Sequence, residues 1–357
     1  MTRRTLVFHT HLVQDVTTLR PLIRLAQRLV EHDVVVLCAA EFAKHDSTGL
    51  WREELAALCA ETGATLHTYD TPYDAVRLLA GRHGMIVAGS ESHLPNHAVT
   101  HALFRVMPPG FLRVTLQHGF ECMGLLHNAA HDETAGGAVR FAADIVVTWF
   151  HESRLTTTSG AERPKLYLAG PPTLLEPPPA NAADAHDPYR GMVCENLHSV
   201  RFVKGGAARQ SFIAYFNAFA DRFRHVGSPI HLRPHPAGAF TQRQGLPVPE
   251  GVVLDTGPFY RIALGEFGFC ISAPSTVLFD FVLAGVPVAV WGDADGRIDT
   301  SNFSGLAEVV TVEDWWRFVA RAAADPQPLL DRQAAFLAGL GMPPDIEDRY
   351  ARLLSLA

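Results

Sequence analysis

The sequence of 357 residues has no CxxC pair among its five cysteines, no apolar run that approaches the length of a membrane span and no excess of positive charge. The cysteines are scattered, mostly inside apolar runs, which is typical of buried thiols in a reducing compartment. The net charge of -7 excludes general nucleic-acid binding, because such proteins neutralise phosphates with clustered lysine and arginine.

A secretory leader is also not evident. The amino-terminal stretch MTRRTLVFHTHLVQD turns polar too soon for a signal peptide. We therefore expect a cytoplasmic protein without a nucleic-acid partner, and peripheral attachment to the inner face of the cytoplasmic membrane stays open.

Two fingerprints of phosphate binding are missing, the Walker lysine motif and GxGxxG. Any phosphate is then expected to be small and locally bound. A metal site is not predicted either. His9 and His11 lie two residues apart on a predicted strand and share a face, but no third ligand follows at a useful spacing. We expect neither a metal nor another cofactor.

The length of the chain exceeds the usual size of one domain. In both halves, apolar runs rich in Val, Ile and Leu alternate with amphipathic stretches, which is typical of parallel strands covered on both faces. We predict an α/β protein with two doubly wound, Rossmann-like domains and a cleft between them. The predicted parts are a first domain over 1–175, a linker over 176–190, a second domain over 191–330, and carboxy-terminal helices over 331–357 that pack back on the first domain.

The stretch LRPHPAG, residues 232–238, directly follows an apolar run of the second half. Its Arg233 and His235 would lie at the carboxyl edge of a strand, where doubly wound sheets bind ligands. The prolines on both sides of His235, Pro234 and Pro236, fix the backbone and reduce the entropy that is lost when the imidazole is held. Taken alone, the stretch fits a stiff surface turn as well as an anion site.

The stretch SAPST, residues 272–276, ends another apolar strand, and a helix is predicted to begin at once. Ser275 and Thr276 would lie at the amino terminus of this helix. Free N–H groups and a partial positive charge make such a terminus suitable for phosphate, although an ordinary helix cap has the same pattern. Because both stretches end strands of one predicted domain, together they favour an anion site.

His118 ends a strand of the first half in TLQHG and is followed by Gly119. A histidine in this position is well placed to take a proton from an acceptor hydroxyl, and its ordinary pKa of about 6.5 suits such a base. The alternative is a histidine whose hydrogen bonds are satisfied by a neighbouring loop.

Three carboxylates also follow predicted strands: Asp15, Glu91 and Glu195. Each could serve as a base, as the nucleophile of a retaining double displacement, or as a helix cap. We favour Glu195, because it shares a domain edge with His235.

RPHP together with SAPST-VLFDFVLAGVPV resembles the second domain of CDP-glycerol glycerophosphotransferases of teichoic-acid synthesis, and QHG is similar to the His-Gly motif of that family. The His-Pro pair and the Ser-Thr pair also resemble those of bacterial sialyltransferases and of the Kdo transferases of capsule and lipopolysaccharide assembly. All these families have the GT-B fold and a cytidine nucleotide donor. The polyol transferases usually have Asp-Tyr before their serines, where this chain has Ala273 and Pro274.

The resemblance implies a glycosyltransferase that moves an acidic sugar of the Kdo or sialic-acid type from a CMP-activated donor to a surface polysaccharide or glycolipid. The first domain would bind the acceptor and the second the nucleotide donor. His118, Glu195 and His235 would be catalytic, with His235 assisting departure of the phosphate. The predicted donor-binding residues are Arg233, His235, Pro236, Ser275 and Thr276.

Two alternatives stay open at this point. One is a CDP-glycerol or CDP-ribitol phosphotransferase of teichoic-acid-like polymer synthesis, and the other is an inert sugar-nucleotide-binding protein of a glycan pathway. The stereochemistry of transfer, retaining or inverting, is not predicted.

Overall fold

The computed structural model of the chain describes residues 4–29, 32–135, 138–179, 187–199, 201–202, 207–236 and 238–357. The chain divides into two compact units. Unit 1 comprises Met1–Leu126, Ala135–Pro177 and Gly341–Ala357, and unit 2 comprises His127–Thr134 and Pro178–Leu340.

Unit 1 is built on a sheet of seven strands, all paired in parallel, in the order β3-β2-β1-β4-β5-β6-β7. Its strands are β1 Arg4–Thr10, β2 Asp33–Ala39, β3 Thr65–Tyr69, β4 His83–Ala88, β5 Phe111–Leu116, β6 Ile145–Thr148 and β7 Leu166–Leu168. The helices of its first part are α1 Val13–Leu29, α2 Phe42–His45, α3 Leu50–Thr62, α4 Pro72–Leu78 and α5 Ala98–Val106.

Unit 2 has six strands, also paired in parallel, in the order β10-β9-β8-β11-β12-β13. Its strands are β8 Asp187–Glu195, β9 Ile230–Pro234, β10 Val252–Leu254, β11 Phe267–Ser272, β12 Val288–Trp291 and β13 Ala307–Val309. The remaining helices, in chain order, are α6 Ala129–Ala135, α7 Ala208–Phe223, α8 Phe240–Arg243, α9 Thr276–Leu283, α10 Val312–Ala324, α11 Gln327–Ala338 and α12 Ile346–Leu354.

Aromatic side chains fill the core of unit 2. Helix α7 presents phenylalanines three or four residues apart to the sheet, the spacing of one helix face. Phe212 packs edge-on against Trp291 of β12 at 5.2 Å between ring centroids, and Phe219 packs against Trp315 of α10 at 5.3 Å. This cluster joins α7 and α10 to the same face of the sheet.

The predicted fold class is confirmed, since both units are doubly wound α/β sheets. The sequence did not predict the edge strands β3 and β13, which are short and partly exposed. The sequence of the stretch FYRIALGEF, residues 259–267, is typical of a helix, but the structure has two single turns of 3-10 helix there, Phe259–Arg261 and Leu264–Glu266. Ile262 between them is extended, and the ring of Phe259 packs on Phe281 of α9.

The division into units differs from the predicted boundaries at two places. Strand β8 begins at Asp187, inside the predicted linker 176–190, of which residues 180–186 lie outside the described part. Helix α11, predicted to pack on the first domain, belongs to unit 2. The cause is Gln333, whose amide accepts a hydrogen bond from Val288 N at 2.8 Å and donates to Val286 O at 2.9 Å.

The last helix, α12, belongs to unit 1. Tyr350 Oη donates a hydrogen bond to Gly170 O at 2.8 Å, and Tyr167 Oη donates to Arg349 O at 2.9 Å. Conversely, the segment His127–Thr134 from the first half of the chain belongs to unit 2. Ala129 N donates a hydrogen bond to Asp299 Oδ2 at 3.0 Å, and Asn302 donates one to His127 O at 3.2 Å. Within the described residues, no helix has the length and apolar character needed to cross a membrane.

The strand order reverses between β1 and β4 in unit 1 and between β8 and β11 in unit 2. The loops that follow two such strands leave the sheet in opposite directions and open a crevice at its carboxyl edge. In each unit, a ligand site is therefore expected at this edge of the sheet.

Close packing of β8 against β11 gives a test of the fold. A methyl group added at Gly191 would lie 2.1 Å from a ring carbon of the buried Phe269. We expect Gly191→Ala to lower the free energy of unfolding by about 1–3 kcal/mol, the cost of overpacking a core. The measurement is urea denaturation followed by circular dichroism.

Gly160→Ala is the control, because a methyl group there meets nothing within 4 Å and the backbone of Gly160 is not in the left-handed region. Equal unfolding midpoints for the two variants would contradict the described contact between β8 and β11.

Candidate functional site

Four imidazoles form a row at the carboxyl edge of unit 1. They follow or end the strands β1 and β5, or lie in the loop between β4 and α5. The ring centroids are 5.9 Å apart for His9 and His11, 6.4 Å for His11 and His97, and 5.3 Å for His97 and His118. The sequence had singled out His118 and had considered the first two only as metal ligands, whereas His97 carried no signal.

Asp15, in the first turn of α1, ties the loops after β1 and β4 together. Its Oδ2 accepts hydrogen bonds from the backbone N–H groups of His11 and Leu12, both at 2.9 Å, and its Oδ1 accepts one from Ser90 Oγ at 3.1 Å. A methyl group at Gly89 would lie 2.6 Å from Oδ1, so only glycine lets the β4 loop approach this closely. Asp15 is 1% exposed and thus serves as an anchor.

Asp15 and His11 also form a buried ion pair, with 3.3 Å between Oδ2 and Nδ1. Burial raises the pKa of Asp15, but the hydrogen bonds and charge of His11 outweigh it and lower that pKa to about 2. Burial lowers the pKa of His11, but the hydrogen bond and charge of Asp15 outweigh it and raise that pKa. The Asn96 carbonyl, 3.1 Å from Nε2, also favours the imidazolium form.

His9 and His97 are the neutral members of the row. Burial, followed by the charge of neighbouring imidazoles, lowers the pKa of each to about 3. His9 Nε2 lies 2.6 Å from Tyr69 Oη, and His97 Nδ1 lies 2.8 Å from Ser92 Oγ. Both rings therefore stay uncharged at neutral pH while they contact charged neighbours.

His118 is half-buried and ends the row. Its loop is fixed by Gln117, whose amide donates to Gly119 O at 2.9 Å and accepts from Trp149 N at 3.0 Å. The Nδ1 atom lies 3.6 Å from Cys122 Sγ. Burial lowers the pKa of His118, but the charge and hydrogen bond of Cys122 outweigh it and raise that pKa.

The effect on Cys122 is reciprocal. Burial raises the pKa of this thiol, but the charge and hydrogen bond of His118 outweigh it and lower that pKa. Each group of the pair thus favours the charged form of the other. A histidine that holds and releases a proton here can serve as an acid or base.

In unit 2, the amino terminus of α9 lies at the edge of the sheet, after β11. Ser275 is the residue before the helix and is extended, yet its hydroxyl makes no capping hydrogen bond. The turn is held instead by Asn196, which follows β8 and donates from Nδ2 to Pro274 O at 2.7 Å. The hydroxyl of Ser275 and the first N–H groups of α9, which begins at Thr276, can thus point to an anion.

Arg233, near the end of β9, is 6% exposed and serves the structure. It donates to Asp255 Oδ1 at 3.2 Å and to Gly257 O at 2.9 Å, and its guanidinium lies over the Phe259 ring at 4.9 Å. Burial lowers its pKa. These contacts hold the residues after β10 against β9, so Arg233 would have to leave them to bind a donor.

His235 follows β9 and contacts a second histidine that the sequence had not indicated. The ring centroids of His235 and His198 are 4.1 Å apart. Burial, then the charges of His198 and Arg233, lower the pKa of His235 well below its ordinary value. The neighbouring Pro236 is exposed. An unliganded His235 is therefore neutral at neutral pH.

Glu195 and Glu91 are 1% and 2% exposed, and both hold loops in place. Both oxygens of Glu195 accept from Thr241 N at 3.1 Å, and the hydroxyl of Thr241 donates to Oε2. Burial raises the pKa of Glu195. Glu91 accepts from Ala142 N and Ala143 N at 3.1 and 3.2 Å. A catalytic role for Glu195 would require it to give up its contacts with the loop that carries His235.

Of the predicted residues, His235 follows β9 and Ser275 follows β11, the two strands that flank β8. With about 4.8 Å between neighbouring strands, their loops leave the sheet about 10 Å apart. His118 belongs to the other unit. Among the described residues, no group of three or more His, Cys, Asp and Glu side chains is arranged to hold a metal ion.

No protein-family model and no curated protein matches the chain. Solved structures are similar to it. The glycotransferase of kitacinnamycin is 14% identical, covers 100% of this chain and 98% of its own, and has a TM-score of 0.51. A putative UDP-N-acetylglucosamine 2-epimerase from Listeria monocytogenes is 12% identical over 99% of this chain and 95% of its own, with a TM-score of 0.59.

A UDP-GlcNAc 2-epimerase from Methanocaldococcus jannaschii, in complex with UDP-GlcNAc and UDP, is 10% identical over 99% of both chains, with a TM-score of 0.58. At these identities the likeness concerns the fold. The chain has the GT-B fold of two doubly wound units, as the motifs in its sequence had predicted.

The ion pair in unit 1 gives a test that depends on pH. Asp15 has a lowered pKa, so its contribution to stability is present above its ordinary value of 3.8 and is lost as pH falls through about 2. His11 has a raised pKa, so its contribution is present below 6.5 and is lost as pH rises through the raised value. We expect Asp15→Asn to lower the free energy of unfolding by about 3 kcal/mol in the pH range where both groups are charged, and by less at pH 9.

Urea denaturation from pH 5 to 9 is the measurement. Ser90→Ala is the matched control, because it removes one hydrogen bond to the same carboxylate and no charge. Its cost should be about 1–2 kcal/mol at every pH in this range. If Asp15→Asn showed the same flat profile, the ion pair would be ruled out.

Proposed function

We propose that the chain is a glycosyltransferase that takes an acidic sugar of the Kdo or sialic-acid type from a CMP-activated donor. The acceptor would be a surface polysaccharide or glycolipid. The observation that carries the proposal is the amino terminus of α9, where the hydroxyl of Ser275 is not used to cap the helix. The cytidine preference comes from the motifs RPHP and SAPST, which resemble those of enzymes with such donors.

Unit 2 binds the donor phosphate in this proposal. Ser275 and the first N–H groups of α9 hold the phosphate oxygens on one side of β8, and His235 approaches from the other side. Donors fixed in advance stabilise the charge that develops on the departing nucleotide. His235 also supplies the proton to the leaving phosphate, for which it must first become charged.

Unit 1 binds the acceptor, and His118 takes the proton from its hydroxyl. Its loop is stiffened by Gln117, which keeps the imidazole at the carboxyl edge of the sheet. Cys122 raises the pKa of His118, so the neutral imidazole, which is the form that takes the proton, is a stronger base. No metal is assigned a step, since protein groups provide the acid, the base and the phosphate ligands.

A second candidate is a CDP-glycerol or CDP-ribitol phosphotransferase. The position of His118 at the end of β5, directly before Gly119, favours it, because the similar families place their proposed base in such a motif. A third is an inert sugar-nucleotide-binding protein with the same fold. The UDP sugars named for the similar epimerase structure give a further donor to test.

Binding of the donor phosphate can be tested by comparing the residues that precede two helices of unit 2, α9 and α10. Ser275→Ala should weaken CMP binding about tenfold or more, since a hydrogen bond to a charged group contributes about 1.5–3 kcal/mol, and should leave stability unchanged. The control is Thr311→Ala, because Thr311 caps α10 in a capping box. That variant should lose about 1 kcal/mol of stability and keep its CMP affinity. Calorimetry and urea denaturation give the two quantities.

The same titration with CDP, UDP and GDP separates the donor classes. Binding of UDP or GDP without binding of either cytidine nucleotide would contradict the cytidine donor. Unchanged CMP affinity in Ser275→Ala would remove the terminus of α9 from the site.

Catalysis can be tested by slow hydrolysis of CMP-Kdo or CMP-sialic acid, followed by release of CMP. The wild-type protein should hydrolyse one of these donors, and His235→Ala should lose the activity because the leaving phosphate is no longer protonated. His225→Ala, which changes an exposed histidine of the same unit, should retain it.

Full turnover in His235→Ala would exclude His235 from the mechanism. Absence of hydrolysis in a wild-type protein that binds CMP would favour the inert binder, and hydrolysis of CDP-glycerol alone would favour the polyol phosphotransferase.

A further inference from the structure

The loops after β8 and β9 bring two imidazoles and two guanidinium groups together. The rings of His198 and His235 are 4.1 Å apart between centroids and tilted by 36°. A methyl group added at Gly238 would lie 2.7 Å from the His198 ring, so glycine is needed for this approach. Arg209, in the first turn of α7, and Arg243, at the end of α8, are near enough for their charges to act on His198.

Arg209 is positioned by contacts with both loops. Its Nε donates to Leu197 O at 2.7 Å, and its guanidinium lies 5.5 Å from the centroid of the Phe240 ring. The remaining guanidinium nitrogens of Arg209 and the whole head group of Arg243 form no ion pair with any carboxylate of the described residues. Positive charge thus accumulates at this edge without a counterion among the residues that the structure describes.

The surroundings of the two rings explain why they are neutral. Burial, then the charges of Arg243 and Arg209, lower the pKa of His198 to about 4. Glu195 is not among the charges that act on either ring, and both of its oxygens are engaged by Thr241. The charged and titratable groups around the pair are Glu195, Arg209, Arg233, Arg243 and, beyond Arg233, Asp255.

A bound anion would reverse the preference of the two imidazoles for the neutral form. Its negative charge offsets the two arginines and pairs with an imidazolium, so the charged form of the histidines becomes favoured. By linkage, the group that gains a proton on binding makes the anion bind more tightly as pH falls. The ring of His198 packs against that of His235 on one side, but the residue as a whole is exposed, so it is accessible to both the anion and the proton.

We propose that His198 and His235, flanked by Arg209 and Arg243, form one site for a tetrahedral oxyanion that takes up a proton from solvent as the anion binds. The inference rests on the proposed function for the identity of the anion, which is then the donor phosphate. It makes His198 a phosphate-binding residue. It also accounts for how His235, neutral in the free protein, acquires the proton that the leaving phosphate needs.

Sulfate is a suitable probe, because it is tetrahedral and does not titrate near neutral pH. The measurement is the rate at which diethyl pyrocarbonate, which reacts with neutral imidazoles, modifies each histidine, followed by mass spectrometry at constant ionic strength. Sulfate should slow the modification of His198 and His235 and leave His225 unaffected. The sulfate concentration that halves the rate should rise about tenfold for each pH unit from 6 to 8.

Two arginine variants complete the experiment. Arg243→Gln should weaken the protection at least threefold, whereas Arg297→Gln, which removes an exposed arginine paired with Asp295, should not change it. Both positions are exposed, so both variants are expected to fold.

Failure of sulfate to protect His198, or protection that does not change with pH, would overturn the proposal. CMP serves in a parallel titration and separates this result from the proposed function. Protection by sulfate without binding of any nucleotide would retain the anion site and contradict the donor assignment. Binding of CMP without protection of His198 would retain the donor and contradict the site.

Discussion

Buried carboxylates hold the loops at the carboxyl edges of both sheets. Asp15, Glu91 and Glu195 each accept hydrogen bonds from backbone N–H groups. For Glu91 and Glu195 these groups lie more than forty residues further along the chain. A carboxylate that is satisfied by peptide dipoles can be buried without an arginine or lysine partner. The loops that carry the candidate groups are therefore fixed by the interior of each unit, and side chains such as His118 and Ser275 are left to face a ligand.

The charge states of the four imidazoles in unit 1 also depend on a buried carboxylate. Asp15 compensates one positive charge, and that charge is placed on His11, which hydrogen-bonds with the anchored loop. Its neighbours, the buried His9 and the half-buried His97, have no such partner among the described residues and stay neutral, since an additional uncompensated imidazolium would be costly. Only His118, beside the thiol of Cys122, has both partial exposure and a raised pKa. Burial and pairing thus give one kind of side chain three different states within a row whose neighbouring rings are 5.9, 6.4 and 5.3 Å apart between centroids.

The sequence predicted the fold where both faces of a strand are buried, as in β1, β4, β8 and β11, because such strands are continuous apolar runs. It failed at β3, whose TLHTY is polar and mostly exposed, since an edge strand buries too little surface to leave a pattern. It predicted that His118, His235 and Ser275 follow strands at the carboxyl edges of the sheets, and the structure places them there. It could not find His97 or His198, because their positions depend on the path of loops. The anchoring role of Glu195 was equally hidden, since its partner Thr241 is distant in the sequence.

The two units share one fold yet differ in how their edges compensate charge. At the edge of unit 1 each favoured charge has a partner, Asp15 with His11 and Cys122 with His118, so protons can be held there without a ligand. At the edge of unit 2, the carboxylate of Glu195 accepts hydrogen bonds from Thr241 in a neighbouring loop. The guanidinium of Arg243 has no counterion among the described residues. In the function proposed above, a bound anion compensates the positive charge at the edge of unit 2, whereas unit 1 contains its own compensating groups. In that proposal, this difference in compensation, rather than the fold, assigns proton transfer to unit 1 and phosphate binding to unit 2.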